Sequence, residues 1–185
     1  MTRMRIYLPV TLAALSARLP SLTVAGRTLD PRTIVTDAGL VAYAVTPALR
    51  EWYREGDTEE LEYVALTRAA RASLQLLAAE LATPQGAVAE GRIRRAVLAA
   101  DVPDSDARPA SGTDVAEVRL LAPLPFSALA ALHVDELAVE GEVMAAATVA
   151  RAALDGDADA RFAVDSLDDH ELLWYAVQEI GFLLS

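Results

Sequence analysis

The residues of this chain that could do chemistry gather at Asp165, Asp168, Asp169, His170 and Glu171. An imidazole that titrates near neutrality beside carboxylates can pass a proton to and from a bound molecule. His170, Glu171 and Asp169 are therefore the candidate catalytic residues. The other histidine lies in His133-Val134-Asp135, where a strand would send His133 and Asp135 to the same face. Together with Asp168 and His170 they could form a mixed imidazole and carboxylate set for a hard or borderline divalent cation. The plainer reading is that acids complement the positive end of a helix starting near Ser166 and that His170 hydrogen-bonds locally. On that reading no cofactor is expected.

A second group is Arg50-Glu51-Trp52-Tyr53-Arg54-Glu55. On a helix Arg50 and Arg54 share a face and form a two-pronged cationic edge beside Tyr53, a grip for a carboxylate or phosphate. The Trp-Tyr dipeptide recurs at Trp174-Tyr175, where helical spacing places His170 beside Trp174 and Glu171 beside Tyr175. Arg50, Tyr53, Arg54, Trp174 and Tyr175 are the candidate binding residues. Both tryptophans are expected to anchor the core, leaving the two tyrosines to solvent. Arg92, Arg94 and Arg95 lack interleaved aromatics and read as a solvated edge rather than a nucleic-acid patch.

Composition excludes several classes of chemistry. The sequence has no cysteine, which removes disulfides, thiolate metal sites and cysteine nucleophiles. All 16 basic residues are arginine, so no Schiff-base or phosphate-loop lysine exists. The nine glycines are too widely spaced for a GxGxxG or GxxxxGK loop, and no serine sits in a GxSxG elbow. The net charge is -11, and residues 111–185 carry 3 arginines against 14 acids. That acidic surface repels phosphate backbones and anionic membranes, so nucleic acid is not an expected partner. No apolar run is long enough to span a bilayer, so no membrane partner is expected either. The absence of cysteine fits a reducing compartment, and the location expected is cytoplasmic.

The elements that must position these residues are legible from punctuation and periodicity. Apolar runs predict strands at Met4–Leu8, Leu40–Val45, Arg95–Val102, Val115–Leu121 and Leu132–Val134. Arg3 and Arg5 before Ile6 to Ala17 imitate a signal peptide, but Pro9 and Thr11 divide the segment into a strand and a capped helix. Thr46-Pro47 opens a helix that Gly56 closes as a left-handed cap, and Asp57 with Glu60 forms a capping box for the next. Tyr63, Leu66, Ala70, Leu74, Leu77 and Leu81 give that helix its apolar stripe, with Arg68, Arg71 and Gln75 on its wet face. Further helices are predicted over Leu137–Leu154 and from about Ser166 to Leu183. The stretch 103–114, rich in proline and aspartate, reads as an exposed loop. The result is one domain over residues 1–185, of the α+β (or α/β) class: a mixed sheet of about five strands with helices packed mainly on one face.

Several segments carry a resemblance: Met4-Arg5-Ile6-Tyr7-Leu8-Pro9, Thr46-Pro47-Ala48-Leu49-Arg50-Glu51-Trp52-Tyr53, Asp101-Val102-Pro103 and Asp168-Asp169-His170-Glu171-Leu172-Leu173-Trp174-Tyr175. Across most of its length the chain resembles a family of uncharacterised proteins of high-GC actinobacteria, a domain of unknown function. The resemblance implies a cytoplasmic protein and fits 38 alanines with no lysine; it assigns no activity to any residue. The function expected is a soluble, non-catalytic binding or adaptor protein with an acidic C-terminal surface, whose partner is another protein or a second copy. The alternative is a small enzyme with an acid–base or divalent-metal site around His170.

Overall fold

Ile6 and Leu8 on one side of the first strand and Tyr7 on the other are all buried, as a central strand requires. A computed structural model describes residues 2–18, 39–53, 56–83, 89–112 and 114–184. In it β1 (Arg3–Val10) lies between β2 (Val41–Ala44) and β3 (Ala96–Pro103). The remaining strands are β4 (Ala107–Pro109), β5 (Glu117–Leu120), β6 (Leu129–Val134) and β7 (Leu173–Ala176). Among the described residues they form one seven-stranded sheet in the order β4-β5-β2-β1-β3-β6-β7. Every pairing is antiparallel. The α+β class holds, while the mixed sheet of about five strands gives way to an antiparallel sheet of seven.

The two additional strands sit at the edges. β4 has three residues, two of them exposed, inside the stretch read as loop, and is too short to show an alternating pattern. β7 replaces part of the helix predicted from Ser166 to Leu183. Its residues have helical apolar spacing, but backbone pairing of Leu173 with Val134, Trp174 with His133 and Tyr175 with Leu132 prevails. A short 3-10 turn at Ser166–Asp169 precedes it, and only Ile180–Leu183 (α6) is helical after it.

Helix caps follow the sequence more closely. α1 (Leu12–Arg18) starts at Thr11, whose hydroxyl accepts from the Ala14 amide at 3.1 Å. Thr46 caps α2 (Pro47–Trp52) by accepting from the Leu49 amide at 3.0 Å. α3 (Thr58–Leu81) has the Asp57–Glu60 capping box, with bonds of 2.9 and 3.1 Å. Gly56, however, is not left-handed, and Tyr53 caps α2 at φ -102. α4 (Glu140–Leu154) turns into α5 (Ala158–Asp165) through Gly156, whose φ of +104 is cheap only for glycine.

Small residues let α3 approach the sheet. Ala65, Ala69 and Ala70 pack with Tyr7, Val97, Ala99 and Ala131, and farther along Leu74 and Leu77 meet Val143, Ala146 and Ala147 of α4. The alternate strand residues Ile6, Leu8, Leu98 and Leu132 form a larger cluster with Leu12 and Leu15 of α1 and Ile180 of α6. Ser73 ties α3 to the sheet end. Its hydroxyl donates to the Val10 carbonyl at 2.7 Å and accepts from the Ala96 amide at 2.9 Å. Among the described residues no helix is long and apolar enough to cross a membrane.

Candidate functional site

Arg68 and Arg71 are one helical turn apart on the wet face of α3, so both guanidinium groups leave the helix on the same side. Arg68 meets Asp114, in the loop before β5, at 2.7 Å. Arg71 donates to Asp168 at 3.0 Å and to Asp165 at 2.9 Å, joining α3 to the end of α5. These bridges form part of the wall of a cleft of about 1160 Å³. Tyr43 of β2, Tyr53 after α2, Tyr63, Thr67 and Gln75 of α3 and Arg161 of α5 also line it.

The charges in this wall stabilise one another. Hydrogen bonding to Asp168 holds the Arg71 pKa above its ordinary value, against a smaller opposing effect of burial. For Arg68 burial is the largest influence and works against the charge, yet Asp114, followed by Tyr53, together outweigh it and raise the pKa. Burial, then the negative charges of Asp114 and Glu117, push the Tyr43 phenol upward. Tyr43 therefore stays a neutral hydroxyl. The cleft offers guanidinium donors, phenol rings and carboxylates fixed in position; among the described residues no histidine lines it.

The predicted site residues are distributed rather than gathered. His170 ends the 3-10 turn and its Nε2 lies 3.0 Å from Glu142 of α4. Asp169 and Glu171 are exposed, and Asp168 faces the cleft through Arg71. Asp135 is wholly buried against Arg95, while His133 lies edge-on to Tyr7 with ring centroids 6.4 Å apart. Burial, followed by the charge of Arg5, lowers the His133 pKa. The set His133, Asp135, Asp168 and His170 is thus divided among separate contacts. Among the described residues no group of three or more histidine and acidic side chains could hold a metal ion.

The aromatic pairs also differ from expectation. Trp52 is 71% exposed and Trp174 61% exposed, so neither anchors the core. Trp174 belongs to the edge strand β7, opposite His133, rather than to a helix packed on the core. Tyr175 is half-buried and packs against the larger core cluster, whereas Tyr53 reaches the cleft. Arg50 is exposed beside Tyr53; Arg54 lies outside the described residues. The supposed solvated run is mostly buried instead: Arg94 donates to the Gly91 carbonyl at 2.8 Å, and Arg95 holds Asp135.

Sequence reading named Tyr53 and Asp168 but missed Tyr43, Tyr63 and Arg161 as site residues. It placed Arg68 and Arg71 on the wet face of α3 without a partner. Their spacing was the available signal, whereas the carboxylates opposite them come from about 45 and 95 residues downstream and carry no local pattern.

A family described as of unknown function, DUF6912, matches residues 4–184. No curated protein and no solved structure matches the chain.

Proposed function

The chain belongs to DUF6912, a family of unknown function, and from its geometry we propose that it is a soluble, non-catalytic binding protein that docks a segment of a partner protein in the cleft beside α3. The observation that carries this reading is the cleft wall itself. Two of its arginines, Arg68 and Arg71, are held by carboxylates, so little of their side-chain freedom is lost when a ligand binds. Its exposed tyrosines supply contact area and hydroxyls, the combination that recurs in recognition surfaces. The acidic C-terminal third supplies Asp114, Asp165 and Asp168 to the lining, and its charge disfavours phosphate-rich partners. A cytoplasmic location and an actinobacterial origin belong to the same reading, supported by the cysteine-free, lysine-free, alanine-rich composition.

The test is affinity purification from the native host with wild type and with Tyr63→Ala, whose ring is exposed and whose loss leaves the fold intact. A partner held by wild type and lost by the variant, at unchanged melting temperature, supports the proposal. Partners held equally by both overturn it.

One contact favours the second reading, a small enzyme at His170: the 3.0 Å pair with Glu142. Among the described residues the side-chain partner of His170 is Glu142 alone, and His133 lies against Tyr7 instead. Loss of a measured activity in His170→Asn, with folding retained, would move the function there.

A further inference from the structure

We infer that the cleft selects a ligand that joins one acidic group to an apolar body, the acid taken by Arg161 and the apolar part by Tyr53 and Tyr63. This rests on the cleft being the binding site and adds the chemistry of what it takes.

The inference comes from following each charge. Among the described residues three arginines and three aspartates line the cleft, but they are not matched one to one. Arg68 takes Asp114, and Arg71 takes both Asp165 and Asp168. Arg161 receives none. Asp157 and Asp165 lie four residues before and after it, where a helix would allow pairing. Asp157 is committed to the Ala160 amide at 2.8 Å as the α5 cap, and Asp165 reaches across to Arg71. Among the described residues no carboxylate pairs with Arg161.

Arg161 is nonetheless positioned. Its Nε donates to the Ala153 carbonyl at 3.2 Å, in the last turn of α4, and the Gly156 turn folds the chain back so that the guanidinium lies beside it. With Nε engaged, the edge formed by the two terminal nitrogens is left as a fork of the shape that takes a carboxylate or phosphate with two parallel bonds. Tyr53 and Tyr63, which line the same cleft, also border an adjoining apolar groove of about 500 Å³ with Leu61 and Val64. Tyr63 is 51% and Tyr53 40% exposed, so ring surface is available to cover an apolar group. Cation and apolar surface therefore occupy one continuous depression. An acidic group on the ligand supplies the counter-charge that none of the described residues gives Arg161. Because the whole protein is strongly acidic, a ligand with one acid and an apolar body suits it better than a polyanion.

The acid is a side chain of the docked partner segment, and two pairs of probes separate this source from the acid of a small molecule. One pair is N-acetylphenylalanine and its amide; the other is a blocked peptide with one phenylalanine and one aspartate, and its asparagine counterpart. Binding to wild type and to Arg161→Gln is measured by calorimetry at low salt, with circular dichroism and melting temperature as controls on folding. In wild type at least one acidic probe binds about tenfold or more tighter than its neutral counterpart, and Arg161→Gln removes that preference while leaving the neutral probe's affinity unchanged. Preference for the aspartate peptide supports the protein segment as the source, and preference for the free acid alone overturns it. Equal binding of acidic and neutral probes to wild type overturns the inference and leaves the binding cleft standing, as does a preference that survives in Arg161→Gln. Failure of all four probes to bind overturns both.

Discussion

Arg95 and Asp135 face each other just beyond the paired ends of β3 and β6, 2.7 Å apart and 2% and 0% exposed. Asp135 also accepts the Arg95 backbone amide at 2.8 Å, and the Arg95 guanidinium donates onward to the His170 carbonyl at 3.1 Å. One buried pair thus closes the sheet end and holds the turn that delivers β7.

Removing one partner leaves the other charged and enclosed. Asp135→Ala is expected to cost about 3–5 kcal/mol, because the isolated Arg95 cation keeps its desolvation penalty. Arg95→Met combined with Asp135→Leu is expected to recover much of that loss, since two apolar chains of similar bulk need no compensation. Urea unfolding of the single and double variants measures both. A single variant within about 0.5 kcal/mol of wild type would show that the pair is not buried in solution.

This pair also explains what the sequence could and could not reveal. The central strands and the capped helices were readable because their signals are local: Thr46 before Pro47, Asp57 before Glu60, and a run of apolar residues at Ala96–Val102. Asp135 next to His133 looked like part of a ligand set, because nothing in its neighbourhood identifies a partner 40 residues upstream. β7 failed for the same reason. Leu172, Leu173, Ala176 and Val177 suit one side of a helix, and only the open edge of β6 makes Leu173–Ala176 a strand. The cleft was half visible, as a face of α3 without its opposite wall.

His133 should make the fold acid-sensitive before the carboxylates titrate. Its folded pKa lies below the ordinary 6.5, first through burial and then through the Arg5 charge, so the folded form keeps it neutral. The unfolded chain therefore binds the extra proton as the pH drops through about 6.5, and stability falls from there toward the folded pKa. Above that window the contribution is fully present. The melting temperature of wild type is expected to decline between pH 7.5 and 5.5 more steeply than that of His133→Gln. Parallel curves would count against it.

Both indoles should behave as solvated groups. Trp52 and Trp174 are 71% and 61% exposed, so native fluorescence is expected to be red-shifted and readily quenched by acrylamide. Trp52→Phe and Trp174→Phe should each change stability by no more than about 0.5 kcal/mol. A blue-shifted, protected emission would place at least one tryptophan in a core or in an interface between copies, and the single variants would identify which.

Ser73 offers the sharpest test of how α3 is seated. It is fully buried, and its hydroxyl joins the Val10 carbonyl of β1 to the Ala96 amide of β3, at the end of the β1–β3 ladder. Ser73→Ala removes little volume, so packing alone predicts a small effect. The hydroxyl, however, serves two backbone groups that water cannot reach. Leaving a buried donor or acceptor unpaired costs about 1–3 kcal/mol, so a loss in that range is expected. Ser73→Thr keeps the hydroxyl but adds a methyl group where α3 lies against the strands. It should restore the hydrogen bonds at the expense of overpacking. Hydrogen exchange at the Ala96 amide separates the two effects: it should accelerate in Ser73→Ala and remain slow in Ser73→Thr. Slow exchange in both variants would mean that the amide is protected without the serine, and that α3 is held to the sheet by its alanine face alone.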